Sequence, residues 1–310
     1  MKNKFLRINS YLHHWKRVLT LIGVALIIVG FIKRFKYLRV QTTEESQDID
    51  QIDILFVIPS APTHSSRRNA IRVTWFKHLN ANMEARFYIG MKEMNSHLRS
   101  QIMEESVKFK DMVLLENVKD TYGKLTEKML VIYEHVVKQH SGVRWIFKTD
   151  TDVWIDPRRL QNVLKNYSKK TMVGKLFKNS RVLRSGRYAN TKYSGSRYPA
   201  YASGAGYALS FDIVEWLAEQ NQNGWLQPLE NEDAALGIYL AGTPTNLVDL
   251  TNISDRQSNR MWDTSKNLSK CNGKDFLIHY LTEISIQKAE DNFQRCGNAC
   301  GCIPPVQPNK

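Results

Sequence analysis

The run WIFKTDTDVWID, residues 145–156, sets two carboxylates, Asp150 and Asp152, at the end of an apolar, strand-like stretch. Strands end at surfaces, and surfaces carry charge, so the acids have a bland reading as solvated strand-end residues. Their chemical reading is sharper: two acids separated by one residue can hold a divalent cation. The pattern on either side bears on the choice. IDILFVIPSA (52–61) reads as a buried strand and SSRRNAIRVTWFKHL (65–79) has helical spacing. ARFYIG and DMVLLE read as two further strands. GKLTEKMLVIYEHVVKQH (123–140) puts Leu125, Met129, Ile132 and Val136 on one helical face, ahead of the strand VRWIFKT. Strand–helix alternation predicts an α/β domain with a mostly parallel sheet flanked by helices. Ligands of such sheets bind at the carboxyl ends of strands, where Asp150 and Asp152 fall.

Charge and composition narrow the class. The chain has 310 residues, 42% of them hydrophobic, and a formal net charge of +14. Residues 1–40 hold nine Lys or Arg and no acid; the other 270 hold 35 basic and 30 acidic residues, a net of only +5. The basic character is terminal, which disfavours nucleic acid as a partner. The same terminus carries the uncharged run VLTLIGVALIIVGFI, Val18–Ile32, which as a helix spans roughly 22 Å. Flanking Lys and Arg can snorkel to complete a crossing. The expected organisation is a cytosolic tail (1–17), an uncleaved transmembrane signal anchor (18–32), a short polar stem (33–51) and a lumenal body (52–310). Charge on the two flanks does not orient the span. The cysteines do: all four, Cys271, Cys296, Cys300 and Cys302, lie in the last 40 residues, which suits disulfides in an oxidising compartment. Their pairing is left open. Sequons at Asn166, Asn252 and Asn267 point the same way. Together these predict a single-pass type II membrane protein with a lumenal body.

Two further stretches have chemical and structural readings in parallel. TKYSGSRYPAYASGAGYALS (191–210) holds Gly204 and Gly206 among aromatic residues; it is either a bulged strand or a wall that lets a sugar approach closely. PLENEDAALGIYLAG (228–242) puts Glu230, Glu232 and Asp233 at the start of a small-residue helix. The acids either complement the helix N-terminus or include a base aimed into a site.

RRNAIRVTW, DTYGKLTEKML, FKTDTDVWID, YPAYASGAGYALS and ENEDAALGIYLAG occur in this order over roughly residues 52–280. In these segments the chain resembles the β-1,3-galactosyltransferase and Fringe superfamily of inverting, nucleotide-sugar-dependent enzymes. Among subgroups it is most similar to the galactosyltransferase of the proteoglycan linkage region. The resemblance implies a GT-A fold, a UDP-sugar donor, a Mn²⁺ cofactor with Mg²⁺ as substitute, and a glycan, glycoprotein or proteoglycan acceptor. It implies metal ligation by Asp150, Asp152 and, within FLIHY, His279. Asp233 matches the general base, and Arg67, Arg68 and Arg72 match the donor-binding segment. Tyr198, Tyr201, Gly204, Gly206 and Glu232 fall in the segments that form the sugar pocket. The family writes three consecutive acids where Thr151 stands here, and Lys124 replaces a usual Asn. A β-1,3-N-acetylglucosaminyltransferase is the alternative within the class, and a non-catalytic lumenal sugar-binding protein or chaperone the alternative outside it.

Overall fold

The computed structural model describes residues 52–250, 260–262, 268, 271 and 275–302. The tail, anchor and stem expected over residues 1–51, with Asn252 and Asn267, lie outside the described residues. Among the described residues no helix is long and apolar enough to cross a membrane.

The α/β expectation is met. Seven strands form the main sheet: β1 (Ile54–Pro59), β2 (Met83–Gly90), β3 (Met112–Leu115), β4 (Trp145–Thr149), β6 (Thr171–Phe177), β7 (Tyr201–Ser210) and β8 (Asn246–Asp249). Their order is β3-β2-β1-β4-β7-β6-β8. Neighbours are parallel except β7, which runs antiparallel to both β4 and β6. β1 shows why the sheet needs helices on both faces. Ile54, Phe56 and Ile58 pack into one buried cluster with Ile71, Trp75 and Ile102, while Leu55 and Val57 pack into another with Met129, Ile132 and Val136. The alternation is the period-2 rule of a strand buried on both sides.

Of the face the sequence predicts for α3 (Leu125–Gln139), Met129, Ile132 and Val136 are buried, while Leu125, its first residue, is half-buried. The stretch 65–79 is α1 (Ser65–Val73) followed, beyond Thr74, by a 3₁₀ turn, Trp75–His78. Helix α2 (Ser96–Phe109) lies between β2 and β3. Helix α4 (Pro157–Leu164) is capped by Asp156 and begins with proline, a pre-organised N-terminus. Helix α5 (Phe211–Gln222) follows β7, and α6 (Glu232–Leu240) starts at Asn231.

A second sheet positions the site. β5 (Trp154–Ile155) pairs antiparallel with β10 (Asp275–Ile278), which pairs parallel with β9 (Arg260–Trp262). His279 follows β10 directly, and the Leu281 N–H donates to the Asp152 carbonyl at 2.9 Å. The last strand is thereby stitched alongside the Asp-Thr-Asp turn. Helix α7 (Glu283–Cys296) follows; disulfide Cys296–Cys302 ties its last residue to the segment after it, and Cys271–Cys300 ties that segment to the chain ahead of β10. Cys271 and Cys300 stand near Asp275, but their sulfurs are spent on that disulfide, so they offer no thiolate to a metal.

Candidate active site

Two strand ends build one wall of the site. β4 ends at Thr149, delivering Asp150 and Asp152; β10 ends at Ile278, delivering His279. One oxygen from each carboxylate and an imidazole nitrogen lie within 4.8 Å of one another. His279 Nε2 is 3.3 Å from Asp152 Oδ1 and 3.8 Å from Asp150 Oδ2. Thr151, between the acids, is buried and turns the other way, its Oγ1 lying 3.4 Å from His64 Nδ1. Burial pushes the Asp152 carboxyl up, but the hydrogen bond and charge of His279 and the charge of Arg67 outweigh it and hold it below its usual range. Two hard carboxylate oxygens and one imidazole form a donor set that fits Mn²⁺ and, less selectively, Mg²⁺.

The opposite wall carries Asp233. β7 supplies Gly204, and α6 begins with Glu232 and Asp233. Asp233 Oδ2 accepts from the Gly204 N–H at 3.2 Å and Oδ1 from the Ala234 N–H at 2.9 Å. A Cβ on Gly204 would lie 3.5 Å from both Asp233 Oδ2 and Lys148 Nζ. Asp233 faces the cleft but is otherwise enclosed by protein. That enclosure, and then the charge of Glu232, push its carboxyl up to about 6 against the pull of Lys148 and the two backbone N–H donors.

Lys148 joins the two walls. It sits in β4 with its ammonium buried, donating to Asp150 Oδ1 at 2.9 Å and to the Gly204 carbonyl at 2.5 Å, and lying 3.4 Å from Glu232 Oε2. Glu232 also accepts from Tyr207 Oη at 2.6 Å, and Tyr207 Oη lies 2.9 Å from Tyr133 Oη. Burial disfavours the ammonium, but Asp150 and Glu232 outweigh it and keep Lys148 a firm cation. Asp150, Asp152, Glu232, Asp233 and His279 line one cleft of about 240 Å³ together with Lys148 and Gly204.

The other residues singled out from the sequence divide. Arg67 borders the Asp150–Asp152–His279 cluster, with Nη1 3.8 Å from Asp152 and Nε 3.9 Å from Glu283, which is itself held by Ser66. Arg68 and Arg72 turn away into a network of their own with Glu105 and Asp111. Gly206 serves packing: a Cβ there would stand 2.6 Å from Leu277 and 2.8 Å from Phe147. Tyr198 is buried with Val182 and Ala234, and Tyr201 packs on Phe177 and against Gly237. These three back the pocket wall; Gly204 and Glu232 line it. Lys124 pairs with Glu127 at the surface. Asn166 is exposed at the end of α4, where an acceptor asparagine has to be.

The profile of the family described as Galactosyltransferase matches residues 66–251, more than half of the chain. The chain belongs to the galactosyltransferase family. The matched span contains both acids of the triad and Asp233, while His279 follows it. Over 207 residues the chain is 31% identical to the Xenopus laevis UDP-GalNAc:β-1,3-N-acetylgalactosaminyltransferase 2, covering 65% of this chain and 39% of that protein. It is 30% identical over 210 residues to the Arabidopsis thaliana hydroxyproline O-galactosyltransferase GALT5, covering 64% and 30% respectively. The human N-acetylgalactosaminyltransferase 2 is 29% identical over 216 residues, or 67% of this chain and 39% of that one. The match thus spans about two fifths or less of the curated relatives' length.

Lys148 was missed in the sequence although it left a signal there. It is the one charge inside the otherwise apolar WIFKT strand, and a charge in a strand buried on both faces has to meet a partner.

Proposed function

We propose that this galactosyltransferase-family chain is an inverting, UDP-sugar-dependent β-1,3-hexosyltransferase with UDP-galactose as its donor. The observation that carries the reading is the placement of the Asp150–Asp152–His279 triad and the raised carboxyl of Asp233 on facing walls of one cleft. A cation bound at the triad would neutralise the departing diphosphate as a Lewis acid. Asp233 takes the proton of the acceptor hydroxyl; the freed oxygen attacks the anomeric carbon; UDP departs with the bonding electron pair. One displacement inverts the centre, turning an α-linked donor into a β-linkage. A carboxyl near 6 suits a base working close to neutrality. Lys148 fixes the walls relative to each other, and Arg67 is the cation positioned to meet the diphosphate.

The names of the Xenopus and human relatives favour a second donor, UDP-N-acetylgalactosamine; UDP-N-acetylglucosamine is the alternative within the superfamily. For the acceptor we favour a glycan on a glycoprotein or proteoglycan, with the galactosyl-xylosyl linkage region as the first candidate. The apolar Val18–Ile32 run, the two disulfides and the exposed Asn166 support a type II Golgi protein with its catalytic body in the lumen.

The test is UDP release by the detergent-solubilised full chain from UDP-galactose, UDP-N-acetylgalactosamine and UDP-N-acetylglucosamine, with Mn²⁺ and then with excess chelator. Mn²⁺-dependent release from UDP-galactose above the other two is expected. Absence of binding and release with all three would overturn the enzyme reading.

A further inference from the structure

At the mouth of the cleft an arginine stands between two tyrosines. The Arg187 guanidinium lies 5.4 Å from the ring centre of Tyr122 and 5.5 Å from that of Tyr188. All three side chains line the same cleft as Asp233, and all three are exposed. Tyr122 comes from the 3₁₀ turn just ahead of α3, on one wall. Arg187 and Tyr188 come from the long connection between β6 and β7, on the other.

That connection is built, not loose. The Ala189 N–H bonds the Gly186 carbonyl at 3.1 Å, closing a turn whose two central residues are Arg187 and Tyr188. Gly186 takes φ +83°, which a side chain would resist. The Asn190 N–H bonds the Leu183 carbonyl at 2.8 Å, and Arg184 spends its guanidinium on the carbonyls of Asn190, Tyr193 and Gly195. The turn hangs from the base's own helix start: Asn231, the residue that opens α6, donates to the Tyr188 carbonyl at 2.9 Å, and Thr191 donates to Glu230 at 2.8 Å. Arg187 is therefore placed relative to Asp233, on the acceptor's side of the reaction.

Charge then separates the two cations of the cleft. Lys148 is buried and neutralised by Asp150 and Glu232. Arg187 has no carboxylate within 4 Å among the described residues and presents its charge to the opening. Between residues 165 and 197 there are ten Lys or Arg and no Asp or Glu, so no acid of its own segment competes for it. Aromatic faces bind the C–H faces of pyranose rings, because those hydrogens are weakly positive and the ring face is negative. A guanidinium between two such faces adds bidentate recognition of an anion.

We propose that Tyr122, Arg187 and Tyr188 form an acceptor subsite for an anionic saccharide, a pyranose bearing a sulfate, phosphate or carboxylate group. This rests on the transferase reading above. The tyrosines hold the ring and Arg187 reads the charge.

Methyl β-galactoside and its 6-O-sulfate form a probe pair that differs only at O6, where the sulfate adds a negative charge; the salt series and the R187A and R187K variants separate that charge from the added bulk. Their affinities are measured by saturation-transfer NMR on the full chain with UDP and Mn²⁺ present, near 20 mM and near 300 mM salt. The sulfated sugar is expected to bind about five- to ten-fold more tightly at low salt, the scale of one charge-assisted contact at a partly exposed site. Screening shrinks the ratio at high salt. R187A brings the ratio to about one, R187K keeps part of it, and K165A, in the same basic run but at the far end of α4, keeps all of it. Y188A weakens both sugars and leaves the ratio, since it removes the ring surface and not the charge. Equal binding of the pair, no binding of either, or a ratio that survives R187A overturns the subsite. A glutamate tetrapeptide that displaces the sulfated sugar at equal concentration overturns the saccharide assignment, because charge alone would then suffice. Failure of UDP to bind in the same samples would count against the transferase reading, whereas UDP binding without a sulfate preference counts against the subsite only.

Discussion

Two clusters of charge sit beside the same sheet, and they are finished differently. In the first, Arg68 is fully buried and its five N–H groups meet five acceptors: both Glu105 oxygens, Ser60 Oγ, and the carbonyls of Ala61 and Pro62. Arg72 clasps Asp111 through two bonds of 2.7 and 2.8 Å, takes Glu105 at 2.7 Å, and stacks 3.9 Å over Phe109. Two cations face two anions, and Arg68 has no donor left for a phosphate. In the second cluster, Asp150, Asp152, Glu232 and Asp233 gather around Lys148 with Arg67 at the edge. Four acids meet two cations, before His279 is counted. A closed network stabilises the fold, whereas one left anionic and open to a cleft holds a place for a cation.

The comparison breaks most sharply at the open cluster. Asp152→Ala removes one of three ligands, and transfer should fall below detection. Mn²⁺ affinity, read by isothermal titration, should drop at least about ten-fold, the lower scale for loss of support at a metal site. Unimpaired turnover in D152A or in excess chelator would remove the metal from the proposal. Asp233→Asn keeps the shape and removes proton acceptance, so kcat should fall about 10²–10⁴-fold. The wild-type rate should climb with pH through about 6 and level off, since the ionised form is the base. Stability moves in the opposite sense. The folded carboxyl titrates near 6, above its ordinary 3.8, so its contribution is full below 3.8 and is lost as pH rises through 6. Asn escapes that loss. D233N should be more stable than wild type at pH 7.5 by on the order of 1–2 kcal/mol, after allowance for exposure to the cleft, with the gap closing toward pH 4. Urea unfolding at the two pH values checks it.

The closed cluster should fail as a scaffold. Arg68→Met removes the fully buried one of Glu105's two arginine partners, leaves it Arg72 alone, and should cost about 3–5 kcal/mol in unfolding free energy. Arg67→Met, beside the triad, should leave the unfolding midpoint nearly unmoved and weaken UDP-sugar binding about ten-fold, the scale of one charge-assisted contact. If R67M unfolds as readily as R68M, the two clusters are not distinct in kind.

This division explains what the sequence made legible. The apolar alternation of β1, the face of α3 and the motif Asp150-Thr-Asp152 are local patterns: β1 is buried on both sides as read, α3 buries all but Leu125 of the predicted face, and the motif stands at the end of β4. The roles within RRNAIR are not local. Arg67, Arg68 and Arg72 are the same residue type on one helix, and only partners 37 and 39 positions away, Glu105 and Asp111, turn two of them inward. Gly204 and Gly206 look alike in YASGAGYALS; Leu277, from β10, claims the second for packing. Lys148 and Arg187 became interpretable only when β7, α6 and the β6–β7 connection were placed around them.

The smallest expected effect concerns the residue between the two metal-facing acids. The superfamily writes an acid where this chain has Thr151. If the middle position reached the cation, Thr151→Asp would add a ligand and tighten Mn²⁺ markedly. The geometry says otherwise: Thr151 is 5% exposed and meets His64, while Asp150 and Asp152 converge on His279. A carboxylate at 151 would face the His64 imidazole, whose pKa burial, then Arg67 and Arg68, hold below its usual value. The new charge should raise that pKa, because an adjacent anion favours the protonated ring. T151D should therefore raise Mn²⁺ affinity by no more than about ten-fold, since an uncoordinated charge about 7 Å from a divalent cation contributes roughly 1 kcal/mol in water, well short of direct ligation. The His64 titration, followed by NMR, should move toward higher pH. T151N, of matched size and no charge, should leave both readouts where they are. A gain of about a hundred-fold or more in Mn²⁺ affinity in T151D, beyond what through-space attraction supplies, would place the middle residue in the coordination sphere and make the threonine, not the outer pair, the feature that sets this chain's hold on its metal.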